Sequence, residues 1–115
     1  MNNNLEHKID ELLVKIGVKS NHKGKKYLIT AISIIISDSN TKLEAIYWAI
    51  SKLYNVTRGS VERAIRHSIE DVFMHADREK MYDYFGNMVD VNTGKLTNAT
   101  FIHRCAEIIK EANNE

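Results

Sequence analysis

Apolar residues recur at helical spacing almost from the start of this chain. Leu5, Ile9, Leu12, Leu13 and Ile16 share one face of a helix over residues 5–16. Asn4 is its expected N-cap, and Gly17 stands where a left-handed residue ends it. A loop over residues 18–24 leads to a second helix over 25–37. Its apolar positions (Tyr27, Leu28, Ala31, Ile32, Ile34, Ile35, Ile36) cover most of the circumference, as in a central, buried helix. The isoleucines also suit a strand, but the flanking periodicity is helical and no partner strand follows.

Asp38-Ser39-Asn40 reads as a turn. Thr41 and Glu44 then have capping-box spacing and open a third helix over residues 42–53. Tyr54-Asn55-Val56-Thr57 interrupts it before a fourth helix over 58–75. A short fifth helix, 78–85, starts after Asp77 as cap and stops at Gly86. Residues 87–96 form a loop with a turn signal at Asn92-Thr93-Gly94. Asn98 caps the last helix, 99–112, whose apolar face carries Phe101, Ile102, Cys105, Ile108 and Ile109. The expected fold is all-α, with six helices in a single domain spanning 1–115. There is no internal repeat, low-complexity tract or linker.

Composition agrees with this pattern. A chain of 115 residues has room for one core, and it contains no proline and only five glycines. Hydrophobic residues make up 43% and charged residues 27%, ordinary for a globular domain. A net charge of +1 excludes binding to nucleic acid by bulk charge, so any such function needs its cations on one face. The single Cys105 excludes an intramolecular disulfide and a cysteine-rich metal site, and it fits a reducing compartment. The Met1-Asn-Asn-Asn start lacks the features of a secretory signal. The most apolar run, 28–36, is far shorter than the roughly 20 residues of a membrane span. A soluble, cytoplasmic protein is expected.

The third and fourth helices have the spacing of a helix-turn-helix. Ser51 is small enough for a steep, close crossing, and Asn55 tolerates the left-handed conformation that the turn requires. Ile50, Tyr54, Val56, Val61 and Ala64 are placed to tie the pair together. At 100° per residue along the fourth helix, Val61, Ala64, Ile65, Ser68, Ile69 and Val72 form one face. Arg63, Arg66, His67 and Glu70 lie opposite. A recognition helix presents its N-terminal residues to base edges in the major groove, and here that segment is 60–73. Arginine matches guanine O6 and N7, and a carboxylate accepts from cytosine N4. Glu62 beside Arg63 is informative because a carboxylate near phosphates costs affinity unless it reads a base. The plainer alternative stays open: arginines and glutamates on the outer face of an amphipathic helix, with Arg66–Glu70 as an i,i+4 pair, also describe a solvated surface.

Val61-Glu-Arg-Ala-Ile-Arg-His-Ser-Ile-Glu70 resembles the recognition helix of the sporulation stage-zero protein A family, the response regulators of endospore-forming Firmicutes. Ile16-Gly-Val18, Lys23-Gly24, Tyr27-Leu28, Ala31-Ile32, Phe85-Gly86, Lys95, Thr97-Asn98 and Phe101-Ile102 sit in the same register. The resemblance covers nearly all of residues 5–112 and matches the family's six-helix C-terminal effector domain. It implies sequence-specific binding to short promoter boxes in double-stranded DNA, with head-to-tail effector domains on tandem boxes. Glu62, Arg63, Arg66 and His67 fall on the family's DNA-contacting positions. The family places an arginine where Ser60 stands; here Arg58 lies two positions earlier, with Gly59 between, so box preference is expected to change unless Arg58 substitutes. Leu96 replaces a proline, a structural difference. No receiver domain lies within these residues, so for a chain of this extent the expectation is activity that is constitutive, ligand-independent or controlled by abundance, rather than switched by aspartyl phosphorylation within itself.

The basic stretch His22-Lys-Gly-Lys-Lys26 is a candidate phosphate site through Lys23, Lys25 and Lys26, with a solvated loop as the alternative. Tyr47, Trp48 and Tyr54 read as core or helix-packing aromatics. The five histidines and Cys105 show no convergent metal-ligand spacing, and no nucleophile motif supports an enzyme. Neither metal, cofactor nor catalysis is expected. The competing function is a protein-interaction module that pairs with or competes against a full-length family member. Its expected surface is the last helix, where Phe101, Ile102 and Ile109 are apolar beyond the needs of one core.

Overall fold

The computed structural model describes residues 3–90 and 93–113, which hold six α-helices and no strand. These are α1 (Asn3–Ile16), α2 (Lys23–Ser37), α3 (Leu43–Tyr54), α4 (Arg58–His75), α5 (Arg78–Phe85) and α6 (Asn98–Asn113). A short 3₁₀ turn, Gly86–Met88, follows α5. None of these helices is long and apolar enough to cross a membrane.

The elements match the apolar periodicity, and α2 is the central helix, packed against α1, α3, α4 and α6. Leu28, Ala31 and Ile32 on it are fully buried. Gly24 opens this helix against α4 so closely that a Cβ there would stand 2.1 Å from Ser68 Oγ and 2.4 Å from the Ala64 carbonyl oxygen. Phe85 stacks on Phe101 with ring centroids 5.2 Å apart and meets Phe73 at 5.9 Å, which pins α5 to α6 and α4. Gly17 adopts φ +112°, the left-handed end expected of α1. Asp77 caps α5 by accepting from the Glu79 N–H.

Local details at helix starts differ from expectation. α1 begins at Asn3, so Asn4 lies inside its first turn rather than capping it. α2 begins at Lys23, two residues early, because the basic stretch continues the helix. The Thr41–Glu44 capping box does not form: Lys42 takes the N-cap position, and Thr41 Oγ1 donates to the Asp38 carbonyl at 2.9 Å. Thr97, not Asn98, caps α6, its Oγ1 accepting from the Thr100 N–H at 3.1 Å. Of the turn signal before α6, Asn92 lies outside the described residues, while Gly94 has φ +67° and donates to the Asp90 carbonyl.

Candidate nucleic-acid interface

The turn between α3 and α4 is built on Asn55, the one non-glycine residue with positive φ among those described (φ 54°, ψ 52°). Its N–H and that of Val56 both reach back to the Ser51 carbonyl, which closes α3 and redirects the chain. Ser51 is buried and its hydroxyl bonds to the Trp48 carbonyl at 2.7 Å. Thr57 then caps α4, with Oγ1 accepting from the Ser60 N–H at 3.0 Å and donating to Ser60 Oγ at 2.8 Å. Ser60 is therefore engaged in starting the helix.

Val61, Ile65, Ser68, Ile69 and Val72 are buried, which sets the rotation of α4 and turns the other face outward. Arg58, Arg63, Arg66 and His67 are exposed there, and Glu62 is half-buried. The guanidinium of Arg63 lies back over Gly59, where a Cβ would stand 3.2 Å from its Nη1. Arg58 and Arg63 thus flank the N-terminal turn of α4, which carries no acidic residue. Arg66 sits between two carboxylates. Its Nη1 donates to both oxygens of Glu62, at 2.5 and 3.0 Å, and its Nε lies 3.5 Å from Glu70. Surface ion pairs of this exposure are worth about 0–1 kcal/mol, whereas a bidentate arginine–guanine pair discriminates by about 1–3 kcal/mol. Exchange of Glu62 for a base edge is therefore affordable for Arg66.

The three lysines of the basic stretch separate. Lys25 is only 7% exposed; its Nζ pairs with Asp10 Oδ1 at 2.8 Å and donates to Ser20 Oγ at 3.1 Å. That arrangement ties α1 to the start of α2 and corrects the expectation of a free phosphate contact at Lys25. Lys26 is exposed, with its ammonium 4.7 Å from the centroid of Tyr54, the last residue of α3. It stands beside the helix-turn-helix turn. Lys23 is exposed on the first turn of α2.

Two further expectations change. Trp48 is 54% exposed, because Ile46, Tyr47, Ile50 and Ser51 take the inward face of α3 and leave Trp48 outside under Lys52. Phe101, Ile102 and Ile109 are buried in the core, so these three do not form the exposed apolar surface expected of α6. The structure also reveals a residue that spacing did not single out for this role. Asn98 Nδ2 donates to Tyr47 Oη at 2.9 Å and to the Glu62 carbonyl at 3.3 Å, so one side chain from α6 braces both helices of the motif. Burial pushes the Tyr47 phenol above its ordinary pKa, with the Asn98 bond acting in the opposite direction. The partners of Asn98 lie 51 and 36 residues away, so no local spacing marks it for this role.

Six helices, with a helix-turn-helix whose second helix buries one face and exposes an arginine-rich one, define a DNA-binding regulatory domain. A model of the family Sporulation initiation factor Spo0A C terminal matches residues 9–109, and the chain belongs to that family. It is a DNA-binding domain related to sporulation control.

Proposed function

We propose that this domain is a sequence-specific transcription regulator that places α4 in the major groove of short promoter boxes. The supporting observation is the single outward face of α4, on which Glu62, Arg63, Arg66 and His67 stand together while the opposite face is buried. Glu62 accepts from cytosine N4, and the arginines donate to guanine O6 and N7. Arg58, Lys23 and Lys26 meet phosphates around the groove, and Ser60 supports them through the cap. Two such domains lie head to tail on tandem boxes. Pairing or competition with a full-length family member is the other partner reading, and it has lost its expected surface on α6.

The test uses a duplex enriched by the chain from a short randomised pool, and the same duplex with its bases shuffled, at two salt concentrations. Preference for the enriched duplex, with a salt slope of several phosphates, is expected. Arg66→Ala should cost about 1–3 kcal/mol in that preference and leave the fold intact. Val61→Asp should instead unfold the domain, since it puts a charge in the core. Equal, weak binding to both duplexes overturns the reading, and wild-type affinity in both Arg66→Ala and His67→Ala shows that the reading face lies elsewhere.

A further inference from the structure

With Glu62 and Arg66 turned to base edges, Glu70 is a carboxylate on this face of α4 left without a base to read. Glu70 stands one turn beyond Arg66, on the side away from the helix N-terminus, and lies 3.5 Å from Arg66 Nε. Glu62 occupies a different edge of the same guanidinium, through Nη1. The two carboxylates therefore do not compete for the same hydrogens. When Glu62 turns to a cytosine, Nη1 is freed, while Nε keeps its partner.

That geometry points to Glu70 as a positioning residue for base recognition, one that holds Arg66 by Nε so that Nη1 and Nη2 approach guanine end-on. The inference rests on the proposed reading of α4. Arginine can meet guanine O6 and N7 either with its two terminal nitrogens or with Nε and one terminal nitrogen. A carboxylate 3.5 Å from Nε disfavours the second mode and biases the rotamers that Arg66 samples once Glu62 has let go. The expected benefit is less entropy lost on binding, because a side chain already held in its bound geometry has less freedom to lose. Glu70 itself stays out of base contact.

A purely electrostatic role makes a different prediction. Removing a negative charge near the phosphates strengthens binding to any duplex, and does so equally for the enriched and the shuffled sequence. Positioning acts on the ratio of the two affinities. Glu70→Ala should raise binding to the shuffled duplex while lowering the enriched-to-shuffled ratio by about twofold to fivefold, the scale on which a half-exposed ion pair acts through Arg66. Glu70→Gln keeps an acceptor for Nε and should hold a ratio closer to wild type. In an Arg66→Ala background, Glu70→Ala should leave the ratio unchanged, since there is no guanidinium left to position.

The measurement is equilibrium binding of the full chain to the two duplexes for wild type, Glu70→Ala, Glu70→Gln, Arg66→Ala and the double variant. Far-UV circular dichroism confirms that each remains helical. An unchanged ratio in Glu70→Ala, or the same fall with and without Arg66, overturns the positioning role while leaving the recognition helix intact. A wild-type ratio of one overturns the recognition helix and the inference together.

Discussion

A methyl group at position 24 has no space, standing 2.1 Å from one α4 atom and 2.4 Å from another. The second of these is backbone, which cannot rotate aside. Gly24→Ala should therefore force α2 off α4 and cost about 1–3 kcal/mol, read as a lower urea midpoint with an unchanged slope. Ser68→Ala in the same background removes the hydroxyl clash but not the Ala64 carbonyl, so it should recover only part of the loss. The lysines nearby show what is hard to see in a sequence at this scale. Lys23, Lys25 and Lys26 are chemically alike, and the apolar run that defines α2 begins only at Tyr27. Once the helix is extended back to Lys23, Lys25 falls in line with Leu28 and Ile32 on the buried side. Lys25→Gln should consequently lower stability, by about 1–2 kcal/mol given that its partner Asp10 is partly solvated, without changing the salt slope of DNA binding. Lys26→Gln should do the reverse and reduce that slope by about one.

At the scale of elements, the periodicity of the chain was a good guide to which helices exist, because each assignment sums many apolar positions. Helix starts were less legible, since each depends on one or two hydrogen bonds that several neighbouring residues can make. Thr41 spends its hydroxyl on Asp38 rather than on a capping box, and Asn98 spends its amide on Tyr47 and Glu62. The Asn98 partners, 51 and 36 residues away, leave no trace in local spacing. In the proposed reading the start of α4 matters most, because its first turn carries Arg58 and leads directly into Glu62 and Arg63. Thr57→Ala removes the acceptor for the Ser60 N–H and should cost about 1 kcal/mol of stability. Affinity for the enriched duplex should fall with it, as fraying of the first turn loosens the arginines. Thr57→Ser keeps the oxygen and should restore both quantities. Loss of stability with unchanged affinity would show that the reading face does not depend on this turn.

Across the whole molecule, the helix-turn-helix is held together by the last helix of the chain. Asn98 reaches Tyr47 on α3 and the Glu62 carbonyl on α4, so the angle between the two helices is referred to α6 and the core beneath it. Trp48 and Lys25 depart from the sequence expectation for a related reason. Which side of a helix is inward depends on where its neighbours lie, and that is decided by the assembled fold. The same brace gives the molecule a defined response to alkali. Burial raises the Tyr47 pKa above 10.0, so the folded state holds the phenolic proton more tightly than the unfolded chain does. A raised folded value contributes stability that is fully present below the unfolded pKa and is lost as pH rises through the folded one. Wild type should therefore exceed Tyr47→Phe in stability at neutral pH, where Asn98 has its phenolic acceptor. The gap should shrink as pH climbs above about 10, the ordinary tyrosine value. Urea unfolding of both proteins across that range measures it directly, and the difference between them cancels the titration of lysines and exposed tyrosines common to both. A gap that stays constant with pH would mean that the phenolate is accommodated in place, with the Asn98 amide and local solvent carrying its charge.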